Sequence, residues 1–326
     1  RFALFCNMKA EDIISNPDVK SVFEIPKILA EQKLSESILA KFGLTVKKPD
    51  TSLIDKLLKR VYAPNKKKIT IAIIGKYFAT GEYKLRDSYA ALFDAIDHAA
   101  WETEVEVEEV WVSAEEVEKR GADIIGKPNG IIVPIGWGFR GAEGMIEAAS
   151  YARRKKIPYL GLCYGMQLAC IAFARDVIGW SDANTSENDT KTPHQVIHLM
   201  PAQAEFMKNR AYGGTMRLGA WDAKVKKGTI AFEAYKKYGG LLNDDGLTSE
   251  RHRHRYEFND EFVDDFEKHG FVISARSVKE NLAEIIELPR SQHPFYLGTQ
   301  GHPEYKSRPN KPHPLFVEFL NAAKKG

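Results

Sequence analysis

Cysteine is scarce. The 326 residues contain three, Cys6, Cys163 and Cys170, too few and too scattered for a disulfide framework or a zinc site. A reducing cytoplasm is the compartment such a chain implies by default. No apolar run approaches the roughly 20 residues needed to span a bilayer, and no signal-peptide pattern opens the chain. Charge of one sign is lacking too. The 47 Lys and Arg residues against 44 Asp and Glu leave a net charge of +3, which argues against a nucleic-acid or membrane partner. Internal repeats and low-complexity segments are missing, and so is the G-x-x-x-x-G-K-[ST] turn that cradles nucleotide phosphates.

What is there is ordinary for a globular chain: 44% apolar and 28% charged residues, in a length that fits one large or two medium domains. The opening "RFALFCNM" carries no initiator Met and starts directly in an apolar run. It reads as the interior of a larger protein. Residues 2–6 are expected to form a strand. Residues 17–43 read as helices broken by Pro26 and stopped at Gly43. A short amphipathic helix and a basic, Pro-containing linker follow, so the domains divide as 1–64 and 65–326.

From residue 69 the pattern changes. "ITIAIIG" is a continuous β-branched run ending in Gly, as expected of a strand covered on both faces. A helix is expected over 87–100, strands over 104–112 and 130–138, a helix over 143–156, a strand over 157–162 and a helix over 166–178. Strands alternating with helices of this length indicate parallel βαβ units, hence an α/β fold with a largely parallel central sheet flanked by helices. In such sheets, sites gather at the carboxyl ends of the strands. The second half is less regular, with strands expected in "GGTMRLGAW", "ERHRHRYEF", "GFVISARS", "LAEIIEL" and "FYLGTQ", and helices over 260–269 and 315–324.

"GLCYG", residues 161–165, has the G-x-nucleophile-x-G form of a nucleophile elbow, whose tight turn leaves no room for Cβ atoms beside the nucleophile. The N-terminus of the helix that follows favours negative charge on the Cys163 sulfur. Cys170 reads as a core residue. A thiol nucleophile needs a base that becomes an acid for the leaving group. "TQGHPEY" supplies His302, with Glu304 at i+2 to hold the imidazole tautomer. Donors for an oxyanion are available from the Tyr164 N–H and from "PIGWGFRGAEG", through Ile135 or Gly136. "ERHRHRYE" places Arg251, Arg253 and Arg255 at alternate positions on one strand face, a grip for a carboxylate or phosphate or a charged edge strand. His252 and His254 lack an evident third metal ligand.

Taken together these segments resemble the CTP synthase family: its glutamine amidotransferase domain, preceded by the tail of its synthetase domain. "LFCNM" and "ISNPDVKSVFEIP" resemble the end of the latter. "IAIIGKY", "GWGFRGAEG", "YLGLCYGMQ", "DANTSEN", "GGTMRLG", "RHRHRYE", "GHPEYKSRP" and "HPLF" then follow in the family's order. The resemblance implies a flavodoxin-like core in which Cys163 attacks the side-chain amide of glutamine, His302 serves as base and then acid, and Glu304 orients it. It implies glutamine contacts from Gly136, Tyr164, Gly165, Met166, Gln167, Glu187 and Arg255, an oxyanion hole from Ile135 and Tyr164, and Arg140 as candidate for GTP activation. No metal or cofactor is implied for this chain. ATP, Mg and UTP belong to the missing synthetase domain, and the full-length family forms homo-tetramers. On this reading the chain alone carries only the glutaminase half of the reaction. The alternatives are another triad-type γ-glutamyl hydrolase and a non-catalytic regulatory or scaffold remnant.

The sequence departs from that family in three places. Ile135 stands where a glycine is usual, which would strain a β-branched residue if φ were positive there. Tyr164 replaces Leu in the elbow. In "DANTSEN" the order of Ser and Thr is inverted and Asn188 replaces Phe, with Glu187 at the matching position.

Overall fold

The computed structural model describes residues 2–46, 50–64, 66–80, 83–84, 86–200 and 216–326, those at 79–84 by backbone alone. The "GGT" of "GGTMRLG" lies outside them. The chain divides into two compact units, Arg1–Asn65 and Lys66–Gly326.

The first unit is helical. Residues Phe2–Phe5 form a short helix, not the expected strand. An apolar run with no partner strand cannot satisfy its backbone groups in a ladder, whereas a helical turn satisfies them locally. Pro26 breaks nothing. It sits in the first turn of helix Ile25–Glu31, where the missing N–H is not needed. The helical break falls at Lys33, with φ 56°, immediately before helix Leu34–Lys41. A capping box between Ser21 and Glu24 opens this stretch, and a Lys27–Asp55 ion pair at 3.1 Å ties it to helix Ser52–Val61.

The second unit is built on a nine-stranded sheet in the order β10-β9-β12-β13-β14-β6-β5-β1-β4. Its strands are β1 (Lys67–Gly75), β4 (Val105–Ser113), β5 (Gly130–Val133), β6 (Tyr159–Leu162), β9 (Arg217–Val225), β10 (Leu247–His254), β12 (Val272–Ser277), β13 (Ala283–Leu288) and β14 (Tyr296–Thr299). The run β14-β6-β5-β1-β4 is parallel throughout. The remaining four strands extend it antiparallel. A two-residue hairpin, β2 (Ala79–Thr80) with β3 (Tyr83–Lys84), stands apart. The third sheet was not legible in the sequence. It orders β11 (Tyr256–Phe258), β8 (Gln195–Leu199) and β7 (Asn184–Thr185).

The apolar run of β1 is buried on both faces. Ala72 and Ile74 enter one core, with helices Ala142–Lys155 and Tyr164–Phe173. Ile69, Ile71 and Ile73 enter the other, with helices Ala90–Thr103, Ile230–Tyr238 and Pro314–Lys325. This is why its sequence does not alternate. Edge strand β4 does alternate, and its exposed glutamates protect that edge. Four neighbouring parallel strands, β1, β5, β6 and β14, thus end side by side. Their carboxyl ends carry Lys76, the Pro134–Gly138 turn, Cys163 and the Gln300–His302 segment.

Candidate active site

The turn after β6 is forced by sterics. Cys163 has φ 49° and ψ −97° and caps helix Tyr164–Phe173, so its backbone is strained as in a nucleophile elbow. A Cβ on Gly161 would lie 2.7 Å from the Gly165 backbone, and one on Gly165 would lie 2.0 Å from the Val133 carbonyl oxygen. Both positions exclude any other residue. The first N–H groups of the helix have no carbonyl one turn back to bind, and the Tyr164 N–H is among them.

Cys163 and His302 line one cavity of about 340 Å³. His302 is 2% exposed. Its Nδ1 donates to Glu304 Oε1 at 2.8 Å, its ring stacks on Tyr305, and its backbone N–H donates to the Arg251 carbonyl at 2.7 Å. Among the described residues Nε2 makes no hydrogen bond of ordinary geometry. Burial pulls the imidazole pKa down, but the charges of Cys163 and Glu304 outweigh it and hold the pKa well above the usual value. The arrangement therefore supports an imidazolium facing sulfur on one side and carboxylate on the other.

The same cavity is walled by Ile135, Gly136, Trp137, Tyr164, Gln167, Glu187 and Arg255. Ile135 is not among the residues with positive φ, so a β-branched side chain is unstrained there. A Cβ on Gly136 would sit 3.1 Å from Tyr164 Cδ1, a tight approach that the ring would have to relieve by moving a few tenths of an ångström. Gly165 and Met166 lie behind the wall rather than in it. Met166 is fully buried in the core beneath the helix, because the elbow turns its side chain inward. Arg140 is outside the cavity, with its guanidinium paired to Glu115 and donating to the Lys76 carbonyl at 2.9 Å.

Glu187 follows β7, and Arg255 stands at the bend between β10 and β11. Arg251 and Arg253 are exposed on β10, before that bend, so the three arginines do not form one continuous strand face; Arg253 nevertheless reaches the same cavity as Arg255, and Arg251 does not line it. The small third sheet is what brings Glu187 and Arg255 to one cavity as an anion and a cation. Burial raises the Glu187 carboxyl pKa, opposed by the Gly138 N–H, which donates to Oε1 at 3.1 Å, and by Lys76.

Two departures from the family pattern prove to be one contact. Asn188 Nδ2 donates to Tyr164 Oη at 3.4 Å, and that hydroxyl donates to the Gly138 carbonyl at 2.8 Å. Two further groups, Gln300 and Lys76, were missed in the sequence, and Gln167, which was named, joins one of them. Gln300 Nε2 donates to Cys163 Sγ at 3.4 Å. Gln167 Nε2 donates to Gln300 Oε1 at 3.0 Å and to the Tyr256 carbonyl at 2.9 Å. Lys76 Nζ donates to the carbonyls of Trp137 at 2.6 Å and Gly138 at 2.9 Å. The available signal for Lys76 and Gln300 was position, since each directly follows a strand that ends beside the elbow.

His252 and His254 belong to a buried ion cluster. Arg217 Nη2 lies 2.6 Å from Glu284 Oε1, and its Nη1 lies 3.2 Å from both His252 Nδ1 and His254 Nε2. Arginine only donates, so both rings accept there and are neutral. Burial, with the other histidine and Arg217 beside it, drives His252 far down, and burial with Arg217 takes His254 to about 3. Burial raises Glu284 to about 7. Among the described residues no group of three His, Cys, Asp or Glu is placed to hold a metal, and no helix is long and apolar enough to cross a membrane.

Residues 84–322 match the family description "Glutamine amidotransferase class-I". The chain is 42% identical to CTP synthase of Pelotomaculum thermopropionicum, covering 100% of this chain and 57% of that protein. It is 45% identical to CTP synthase of Sulfurisphaera tokodaii, covering 99% and 57%. It thus spans little more than half the length of these relatives. The solved glutaminase domain of Trypanosoma brucei CTP synthase, with bound acivicin, is 35% identical, with a TM-score of 0.69 over 79% of this chain and 94% of that one.

Proposed function

Since the chain belongs to the class-I glutamine amidotransferase family, we propose that its cavity hydrolyses the side-chain amide of L-glutamine through a thioester on Cys163. The observation that carries this reading is the convergence of Cys163, His302, Glu187 and Arg255 on one cavity, with Glu304 behind His302. A free amino acid is a zwitterion, and a wall carrying the Glu187 carboxylate together with Arg253 and Arg255 offers partners for both of its charges.

Cys163 Sγ attacks the amide carbon, and the carbonyl oxygen takes up negative charge. The N–H groups of Tyr164 and of Ile135 or Gly136 receive that charge. His302 passes its proton to the nitrogen as the C–N bond breaks, so ammonia leaves and a γ-glutamyl thioester remains. Water then attacks the thioester, His302 takes the water proton, and the C–S bond breaks, so glutamate leaves and the Cys163 thiolate faces the His302 imidazolium again. Glu304 holds the ring by Nδ1 and stabilises its charged form. Glu187 takes the α-ammonium and Arg255 the α-carboxylate.

Residues 1–64 would be the tail of a synthetase domain. Ammonia from this site would feed the ATP-dependent amination of UTP in the remainder of a CTP synthase, which binds ATP, UTP and Mg and assembles as a tetramer. GTP activation would act near Arg140, and a reducing cytoplasm would keep Cys163 as a thiol. An ammonia-release assay with glutamine tests the core of this. Wild type is expected to release ammonia and Cys163→Ala to release none. No release from wild type would leave the scaffold reading standing.

A further inference from the structure

Lys76 does not line the cavity, yet it is 6% exposed and gives its ammonium to two successive carbonyls of the turn after β5, at 2.6 Å to Trp137, which lines the cavity, and 2.9 Å to Gly138 behind it. Its Nζ also lies 4.8 Å over the Tyr164 ring. No carboxylate among the described residues forms an ion pair with it. A desolvated ammonium is costly to bury, so its hydrogen bonds to these carbonyls carry much of the compensation.

The consequence falls on one peptide unit. The oxygen of the Trp137–Gly138 peptide accepts from Lys76, and its N–H donates to Glu187 Oε1 at 3.1 Å. The peptide dipole is therefore held between a cation and an anion. A flipped peptide would aim its oxygen at the carboxylate and its N–H at the ammonium, making both contacts repulsive. Gly138 has φ 72°, a conformation glycine reaches readily. Without the clamp, little in the residue itself resists rearrangement.

We propose that Lys76 is a positioning residue that locks the Trp137–Gly138 peptide and, through that peptide's N–H, aims the Glu187 carboxylate into the cavity. This rests on the glutaminase reading, in which Glu187 binds the substrate ammonium. Oε1 is spent on the Gly138 N–H, which leaves Oε2 for substrate. The charged groups facing Lys76 are Arg140, Glu187, Glu118 and Glu115. Burial, followed by Arg140, lowers its pKa to about 8, against the pull of the three carboxylates.

Lys76→Met keeps the aliphatic stem and removes the charge. The expected result is a roughly tenfold or greater rise in KM for glutamine, with kcat changed less than about threefold. In a Glu187→Gln background Lys76→Met is expected to add little, because the clamp has already lost its anion. An unchanged KM in an active enzyme, or fully additive effects, would overturn the proposal. Hydrogen exchange supplies a readout independent of turnover. The peptide spanning residues 134–141 is expected to exchange faster in Lys76→Met than in wild type, and equal rates would also overturn it. Should Lys76→Met fail to fold, Lys76→Gln carries the same two measurements. A wild type that releases no ammonia while the exchange difference persists would refute the glutaminase reading and leave the clamp in place.

Discussion

Gln300 Nε2 lies 3.4 Å from Cys163 Sγ, while its Oε1 accepts from Gln167 Nε2 at 3.0 Å. The amide is thereby oriented: its oxygen is occupied, and its N–H faces the sulfur. Hydrogen bonds to charged groups contribute about 1.5–3 kcal/mol, so a donor aimed at the nucleophile stabilises the sulfur when it carries charge. Gln300→Leu is expected to lower kcat about 10- to 100-fold, read as initial rates of ammonia release. A variant with wild-type kcat would mean that the contact is packing alone.

Glu304→Gln keeps the shape of the acceptor and removes its charge. The support that Glu304 gives the imidazolium, second to that of Cys163, is then lost, so His302 releases its proton at lower pH. The alkaline limb of the kcat/KM profile should move down in pH, with a rate loss on the order of 10²–10⁴-fold. Stability follows the same sign. His302 binds its proton more tightly in the fold than unfolded, so its contribution is complete below the ordinary histidine value and is lost as pH rises through the raised one. Denaturant midpoints of wild type and variant should therefore differ most at low pH and converge at high pH. A constant gap across pH would contradict this.

Gly165→Ala brings a Cβ to 2.0 Å from the Val133 carbonyl oxygen, a backbone atom in a central strand. Strand β5 and the elbow must part. The expected loss of stability is about 1–3 kcal/mol or more, together with loss of glutaminase activity. Gly239→Ala provides the contrast. Its φ of 77° and ψ of 40° lie in the ordinary left-handed region and nothing lies within 4 Å of an added Cβ, so only backbone strain applies, at about 1 kcal/mol. Urea unfolding of both variants orders them, and equal losses would refute the steric account.

Tyr164 and Asn188 should act as a pair. Tyr164→Leu strips a hydroxyl from both the Gly138 carbonyl and Asn188, and Asn188→Phe sets an apolar ring against that hydroxyl. The double variant replaces a polar contact by an apolar one. It is expected to recover stability relative to the sum of the singles, with a coupling energy of about 1 kcal/mol. Additive losses would show that the two positions are independent.

The elbow was legible because its causes are local. Two glycines flanking Cys163, after an apolar run and before a helix-forming one, already state that a Cβ would not fit. The pair His302 and Glu304 was legible for the same reason, being two residues apart. Strands β1, β5 and β6 could be recognised as buried runs separated by helices, and edge strand β4 by its alternation. Local pattern failed at residues 2–6, where Phe2–Phe5 form a helix and no strand among the described residues pairs with them, and at Pro26, whose effect depends on its position within the helix.

The chain's sequence by itself determined which residues could react and where tight turns must fall, since those follow from side-chain chemistry and backbone sterics over a few positions. Only the tertiary structure decided what surrounds them. The order β14-β6-β5-β1 places Gln300, Cys163, the Trp137–Gly138 peptide and Lys76 side by side, and a small separate sheet delivers Glu187 and Arg255. Those neighbours come from segments far apart in the chain, and strand order is set by packing two faces of one sheet at once. No local pattern encodes that, so neither the Lys76 clamp nor the Gln300 donor could be found before the strands were in place.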